Sequence, residues 1–122
     1  MIGFEEWIFR VTKTEDVPAD IRAFNFGLFR NSQGSYSTYV IGARRYDPED
    51  DDWACEEDFC PNEKYFDLVE YSGEDCDWRD VQSKLVGTLR QLIASPRFKG
   101  CFLAPASAIT VGFDDGDLER VL

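Results

Sequence analysis

The fold is decided by residues 21–46, which read IRAFNFGLFRNSQGSYSTYVIGARRY. Two stretches rich in apolar and aromatic residues, 21–30 and 35–46, flank the polar segment Asn-Ser-Gln-Gly at 31–34. Asn and Gly tolerate the positive φ angles that tight turns require. The pattern therefore predicts an antiparallel hairpin. One face of its first strand carries Phe24, Phe26 and Leu28, and the other carries Ala23, Asn25 and Gly27.

Residues 78–94 predict the principal α-helix, because apolar residues recur there every three or four positions. Asp77 is a suitable N-cap, and the pair Ser95-Pro96 ends the helix, since the residue before a proline avoids helical angles. The predicted core face consists of Trp78, Val81, Leu85, Leu89, Leu92 and Ile93.

The remaining segments are assigned to shorter elements. Residues 4–12 alternate like a strand, with Trp7, Phe9 and Val11 on one face. Residues 100–104 and 108–113 predict a final hairpin joined at Pro105. The other assignments are a strand at 64–71, turns at 72–76 and 114–117, and a last helical turn at 118–122.

These elements predict one α+β domain spanning residues 1–122, with a mostly antiparallel sheet of about five to six strands and one principal α-helix packed on it. No run approaches the roughly 18 to 20 apolar residues that cross a bilayer. The start, residues 1–10, lacks the features of a secretory signal. We therefore expect a cytoplasmic protein without a membrane role, whose four cysteines are reduced thiols.

The negative charge is concentrated in one segment. Residues 1–46 and 81–122 each carry a net charge of +1, whereas residues 47–80 carry −13, which accounts for the total of −11. Charge segregated in this way indicates either a functional field or a solvated loop. It opposes nucleic-acid binding, because phosphate contacts require cations.

The chain contains no histidine, which removes the commonest general base and metal ligand, so we expect no catalytic residues and no enzyme. A zinc site made by Cys55, Cys60, Cys76 and Cys101 would depart from the usual two close pairs, and ordinary thiols are favoured. A calcium loop at 47–58 lacks the central glycine of such loops. We therefore predict neither metal nor cofactor.

The candidate site is the acidic stretch 47–59. A purely solvated loop would not need Trp53 and Phe59, so we expect both aromatic residues to anchor it to the domain. The carboxylates would then form a defined ridge, without nearby cations, that binds a basic partner. A solvated loop kept for solubility is the alternative. The predicted partner-binding residues are Asp47, Glu49, Asp50, Asp51, Asp52, Trp53, Glu56, Glu57, Asp58 and Phe59.

The segments 36–46, 51–55 (Asp-Asp-Trp-Ala-Cys) and 64–66 (Lys-Tyr-Phe) resemble small immunity proteins of bacterial polymorphic-toxin and contact-dependent growth inhibition systems. The resemblance implies a protein that binds and neutralises a cognate basic toxin domain, such as a nuclease, inside the producing cell. In this hypothesis the aromatic residues lie at the centre of the interface and the carboxylates at its rim. The alternatives are a nucleic-acid mimic and an adaptor that binds another basic protein.

Overall fold

The predicted hairpin forms the centre of a five-stranded sheet. A computed structural model describes residues 3–32, 34–68, 77–113 and 116–122. The hairpin pairs β1 (Ala23–Arg30) with β2 (Tyr36–Ala43) in antiparallel register, with Phe26 opposite Val40. Gly34 has a φ of 83°, a left-handed conformation that glycine adopts without strain. The hairpin prediction is therefore confirmed.

The other strands are β3 (Tyr65–Asp67), β4 (Ala108–Phe113) and β5 (Glu119–Arg120). The strand order is β3-β2-β1-β4-β5, and β1 runs parallel to β4 while the other pairs are antiparallel. The helices are α1 (Phe4–Thr14) and α2 (Trp78–Ala94), with short 3₁₀ helices at Asp51–Cys55 and Pro96–Gly100. The predicted α+β class, a mostly antiparallel sheet with one main helix, is confirmed.

The helix α2 has the bounds that its periodicity predicts. The Asp77 carboxylate accepts hydrogen bonds from the backbone N–H groups of Arg79 and Asp80, at 3.0 and 3.1 Å. Val81, Leu85, Leu89 and Leu92 of the predicted core face are buried, whereas Ile93 is only partly buried and Trp78 is 47% exposed. Within the described residues, no helix is both long enough and apolar enough to cross a membrane.

The predicted strand at 4–12 is wrong, because this segment forms α1. Its buried residues are Phe4, Trp7, Ile8 and Val11, at the spacing of one helical face. Alternation placed Phe9 on the buried side, but Phe9 is only partly buried and lies beneath the Arg97 guanidinium, 4.7 Å from its ring centroid. The spacing of apolar residues in this segment fits both the two-residue period of a strand and the 3.6-residue period of a helix. Only the helix buries all four large side chains.

The predicted final hairpin and last helical turn are also wrong. Residues 96–105 form a 3₁₀ helix followed by turns, so 100–104 is not a strand, and β4 pairs with β1 instead. Glu119–Arg120 forms β5, paired with Thr110 and Val111. The strand at 64–71 is confirmed for Tyr65–Asp67. Parts of the remaining predictions, at 69–71, 72–76 and 114–115, lie outside the described residues.

The sheet has two unequal faces. Phe24, Phe26 and Leu28 point into the main core with the buried sides of α1 and α2. The opposite surface, which we call the second face, carries Ala23, Asn25 and Gly27, as predicted, beside the residues that pair with them on β2 and β4. No α-helix in the described part of the chain packs there. The 3₁₀ helix Asp51–Cys55 covers one end of it through Trp53.

Two glycines test the packing in opposite directions. A Cβ at Gly87 on α2 would meet no atom within 4 Å, whereas one at Gly42 would lie 2.9 Å from Ile21 Cγ2 and 3.0 Å from Phe24 Cε1. We expect Gly87→Ala to raise the free energy of unfolding by about 1 kcal/mol, through helix propensity. Gly42→Ala should lower it by about 1–3 kcal/mol through overpacking. Urea denaturation measures both, and a neutral Gly42→Ala would contradict this packing.

Candidate partner-binding surface

Residues 47–63, which we call the acidic segment, are attached to the domain by Trp53. This side chain is 1% exposed and packs with Ala23, Ala43 and Ala108 on the second face. Its ring makes an edge contact with Tyr46, with the centroids 5.1 Å apart. The small alanine side chains leave the space that an indole needs, so the prediction that Trp53 anchors the segment is confirmed.

The segment is attached a second time at the edge of β2. Phe59 is 8% exposed and forms an antiparallel bridge with Gly42, with N···O distances of 2.9 and 3.0 Å. Beyond it, the backbone carbonyl of Glu63 accepts a hydrogen bond of 2.8 Å from Trp7 Nε1 on α1. The acidic segment therefore passes from the second face around the sheet edge to α1, with fixed points along its length.

The second half of the acidic segment is neutralised by cations. Arg45 Nε lies 2.8 Å from Glu56 Oε1. The Lys64 ammonium group forms an ion pair with the Glu57 carboxylate. The Asp58 carboxylate accepts a 2.8 Å hydrogen bond from the backbone N–H of Arg44. The Arg44 guanidinium also lies 3.9 Å from Asp58. The expectation that the acids lack nearby cations is therefore wrong for Glu56, Glu57 and Asp58. The three cations come from elsewhere in the chain, so this pairing depends on tertiary structure.

The pKa directions agree with this pairing. The hydrogen bond that Arg45 donates to Glu56 raises the pKa of Arg45, and the charges of Asp50 and Asp47 add to that effect. The hydrogen bond that Lys64 donates to Glu57 likewise raises the pKa of Lys64. Exposed pairs of this kind contribute only about 0–1 kcal/mol each. Their main effect is to reduce the net field of this half of the segment.

The first half of the acidic segment contains no ion pair among the described residues, although Asp47 and Asp50 lie near enough to Arg45 to raise its pKa. Five carboxylates, which we call the acidic ridge, make no ion pair with any described residue. The ridge consists of Asp47, Glu49, Asp50, Asp51 and Asp52. The Asp47 and Asp50 carboxylates accept hydrogen bonds from the N–H groups of Glu49 and Asp52, at 2.9 and 3.0 Å. These turns position the ridge, and all its members except the partly buried Asp47 are exposed.

The structure thus divides the ten predicted partner-binding residues into three groups. Trp53 and Phe59 are anchors, and their burial corrects the hypothesis that they lie at the centre of an interface. Glu56, Glu57 and Asp58 are engaged within the chain. Of the ten, the five carboxylates of the acidic ridge form no ion pair with a described residue.

An aromatic cluster on the second face was missed by sequence reasoning. Phe29, Tyr39 and Tyr65 lie side by side, with ring centroids 5.9–6.3 Å apart, and Tyr65 is 60% exposed. Lys64 Nζ lies 5.3 and 5.4 Å from the Tyr39 and Tyr65 ring centroids. Alternation in 64–71 places Tyr65 on one face of its strand, but only the β2–β3 register places it opposite Tyr39. Exposed tyrosines are typical of binding surfaces.

A cavity lies on the other side of the sheet. Its volume is about 350 Å³, and its walls come from residues 12–24 and 99–105, including Cys101. Burial raises the pKa of the Cys101 thiol, which disfavours the thiolate that nucleophilic chemistry needs. Cys101 lies in a turn, not in the predicted apolar strand. Among the described residues, no three Cys, Asp or Glu side chains are grouped as metal ligands; Cys76 lies outside them.

The burial of Trp53 can be tested by truncation. We expect Trp53→Ala to lower the free energy of unfolding by about 3–5 kcal/mol, because it removes a fully buried indole. Amide exchange at 51–55 should also accelerate. Trp78→Ala is the matched control: this residue is 47% exposed, so truncating it removes much less buried area and the loss should be clearly smaller. Equal losses in the two variants would contradict the anchoring role.

Comparison with known proteins does not change this description. The chain matches no protein-family model, no curated protein and no solved structure. The resemblance of residues 36–46, 51–55 and 64–66 to immunity proteins stays a prediction. The function is therefore argued from the geometry of the acidic ridge and the surface beside it.

Proposed function

We propose that this chain binds a basic protein domain through the acidic ridge, as an immunity-type inhibitor of a toxin. The observation that supports the proposal is that five carboxylates without cationic partners among the described residues stand on a backbone anchored by a buried tryptophan. Like charges held together in this way repel one another. A cationic partner surface would relieve that repulsion on binding.

The geometry suits capture of a partner by long-range attraction. Exposed charges of one sign steer an oppositely charged protein and raise the association rate, and salt weakens this effect. The neighbouring second face adds the rings of Tyr39 and the exposed Tyr65, which offer apolar contact area. The proposed interface therefore has a charged rim beside an aromatic patch. The buried Trp53 anchors the backbone that carries the charged residues.

Inhibition in this proposal is stoichiometric and acts by occlusion. A toxin domain that acts on an anionic substrate such as nucleic acid needs a cationic surface. The acidic ridge would occupy that surface and exclude the substrate. The proposal includes a cytoplasmic location, where such a toxin would act, and no catalytic activity of the chain itself.

Matched charge variants test the proposal. Asp→Asn at positions 50, 51 and 52 neutralises the acidic ridge, and Asn can keep the local turns because its side-chain oxygen still accepts hydrogen bonds. We expect this variant to fold normally and to bind the basic partner, recovered by affinity capture from the native host, at least about ten-fold more weakly. The loss should lie mainly in the association rate and shrink at high salt.

The control is Glu56→Gln with Glu57→Gln, which removes two carboxylates that are already paired. It should lose less than about 1 kcal/mol of stability per pair and change the association rate less. If both variants lose the same affinity, the acidic ridge has no special role. If the captured protein is not basic, or keeps full activity at equimolar inhibitor, the immunity proposal is wrong.

A further inference from the structure

The second cavity lies at the acidic ridge itself. It is a cleft of about 160 Å³ between the 3₁₀ helix Asp51–Cys55 and the second face of the sheet. Ligand pockets for whole small molecules usually measure about 300–1,000 Å³, so this cleft is the size for one side chain. Asp51 and Asp52 lie on one side, and Asn25, Tyr39 and Gly112 belong to the sheet.

The walls of the cleft follow from its residues. The Tyr39 ring lies over Gly27, where a Cβ would come within 2.1 Å of Tyr39 Cζ. On the other side, a Cβ at Gly112 would lie 2.8 Å from the backbone oxygen of Asp117, so the chain leading into β5 passes close to the sheet. The absence of a Cβ at Gly27 and at Gly112 therefore leaves space for the Tyr39 ring and for the backbone at Asp117.

A buried polar group lines the cleft with unused hydrogen-bonding capacity. Asn25 is 4% exposed, and its Oδ1 accepts a 2.9 Å bond from the Thr110 hydroxyl. Its Nδ2 group makes no hydrogen bond within the described residues, and it is open to solvent, because no fully buried side-chain nitrogen or oxygen of the described residues lacks a partner. Because a hydroxyl can donate or accept, turning the amide by 180° would keep the Thr110 bond and present Oδ1 to the cleft. Asn25 can therefore meet either a donor or an acceptor.

The charge of the cleft is negative. Asp51 and Asp52 make no ion pair with described residues, and no Lys or Arg is among the described residues that line the cleft. Among the described residues, no group of three Cys, Asp or Glu side chains is placed to hold a metal ion. A planar guanidinium can instead engage two carboxylates at once, and it is less strongly hydrated than an ammonium group.

We infer that this cleft receives a single arginine side chain of the basic partner. The inference rests on the proposed function and specifies which side chain of the basic partner the chain would recognise. The guanidinium lies between Asp51 and Asp52, its stem packs against Tyr39, and Asn25 bonds to it or to a water molecule beside it. The remainder of the acidic ridge then acts through long-range attraction, whereas the cleft determines specificity for arginine.

The direct test is a ¹⁵N–¹H NMR titration of the full chain with N-acetyl-arginine methylamide. We expect shifts concentrated at Asn25, Tyr39, Asp51, Asp52 and Gly112. The citrulline analogue has nearly the same shape without the charge, and the lysine analogue has the charge without the planar fork; both should bind at least about ten-fold more weakly. Shifts spread over the whole acidic segment, or equal binding of citrulline, would overturn the inference.

A variant that fills the cleft gives a second test at constant net charge. Gly116 lines the cleft, and a Cβ there would meet no described atom closer than 3.8 Å, so a side chain can start at this position, and Gly116→Leu is designed to fill the cleft. It should weaken arginine-probe binding at least about ten-fold. Gly87→Leu, at a partly exposed position of α2 where a Cβ meets nothing within 4 Å, is the control and should bind as wild type.

The same variant separates the two proposals. If Gly116→Leu binds the basic partner like wild type while the Asn variant at 50, 51 and 52 does not, the cleft inference is wrong and the proposed function stands. If both variants bind the partner like wild type, both are wrong. Weaker partner binding in both, with the Gly87→Leu control unchanged, supports the arginine cleft.

Discussion

The candidate site depends on the burial of Trp53 against three alanines of the sheet. Exposed like charges a few ångströms apart repel by about 1 kcal/mol or less per pair in water. Losing a buried tryptophan costs about 3–5 kcal/mol, so the indole contact can hold the acidic ridge in place despite that repulsion. Without it, the carboxylates of Asp50, Asp51 and Asp52 would separate in a solvated loop. The rigid display of negative charge is therefore a packing effect.

The acidic segment combines two electrostatic arrangements within a short length of chain. Around Glu56, Glu57 and Asp58, the carboxylates are compensated by Arg45, Lys64 and Arg44. From Asp47 to Asp52 no carboxylate forms an ion pair with a described residue. A solubility loop would not require this division, because any exposed carboxylate aids solubility equally. The carboxylates without an ion pair lie beside the cleft and the tyrosines of the second face.

Several features of the fold follow from local sequence signals. Asn31 and Gly34 bracket a turn between two apolar strands, and the hairpin forms there. The spacing of apolar residues and the Asp77 cap define α2 at both ends. The aromatic residues within a run of acids predict an anchored segment, and the burial of Trp53 and Phe59 confirms it. Each of these signals acts within about one turn or one strand, where sequence reasoning is strongest.

Other features were decided by contacts distant in sequence. The apolar spacing in residues 4–14 fits both a strand and a helix. Packing against the sheet favours the helix, because Phe4 and Ile8 are buried only in that form. The parallel pairing of β1 with β4 joins segments about eighty residues apart, beyond any local pattern. The sequence alone determined that the protein is strongly acidic in one anchored segment. Only the tertiary structure decided which carboxylates meet a cation, because Arg44, Arg45 and Lys64 reach their partners through the sheet register and the chain path around its edge.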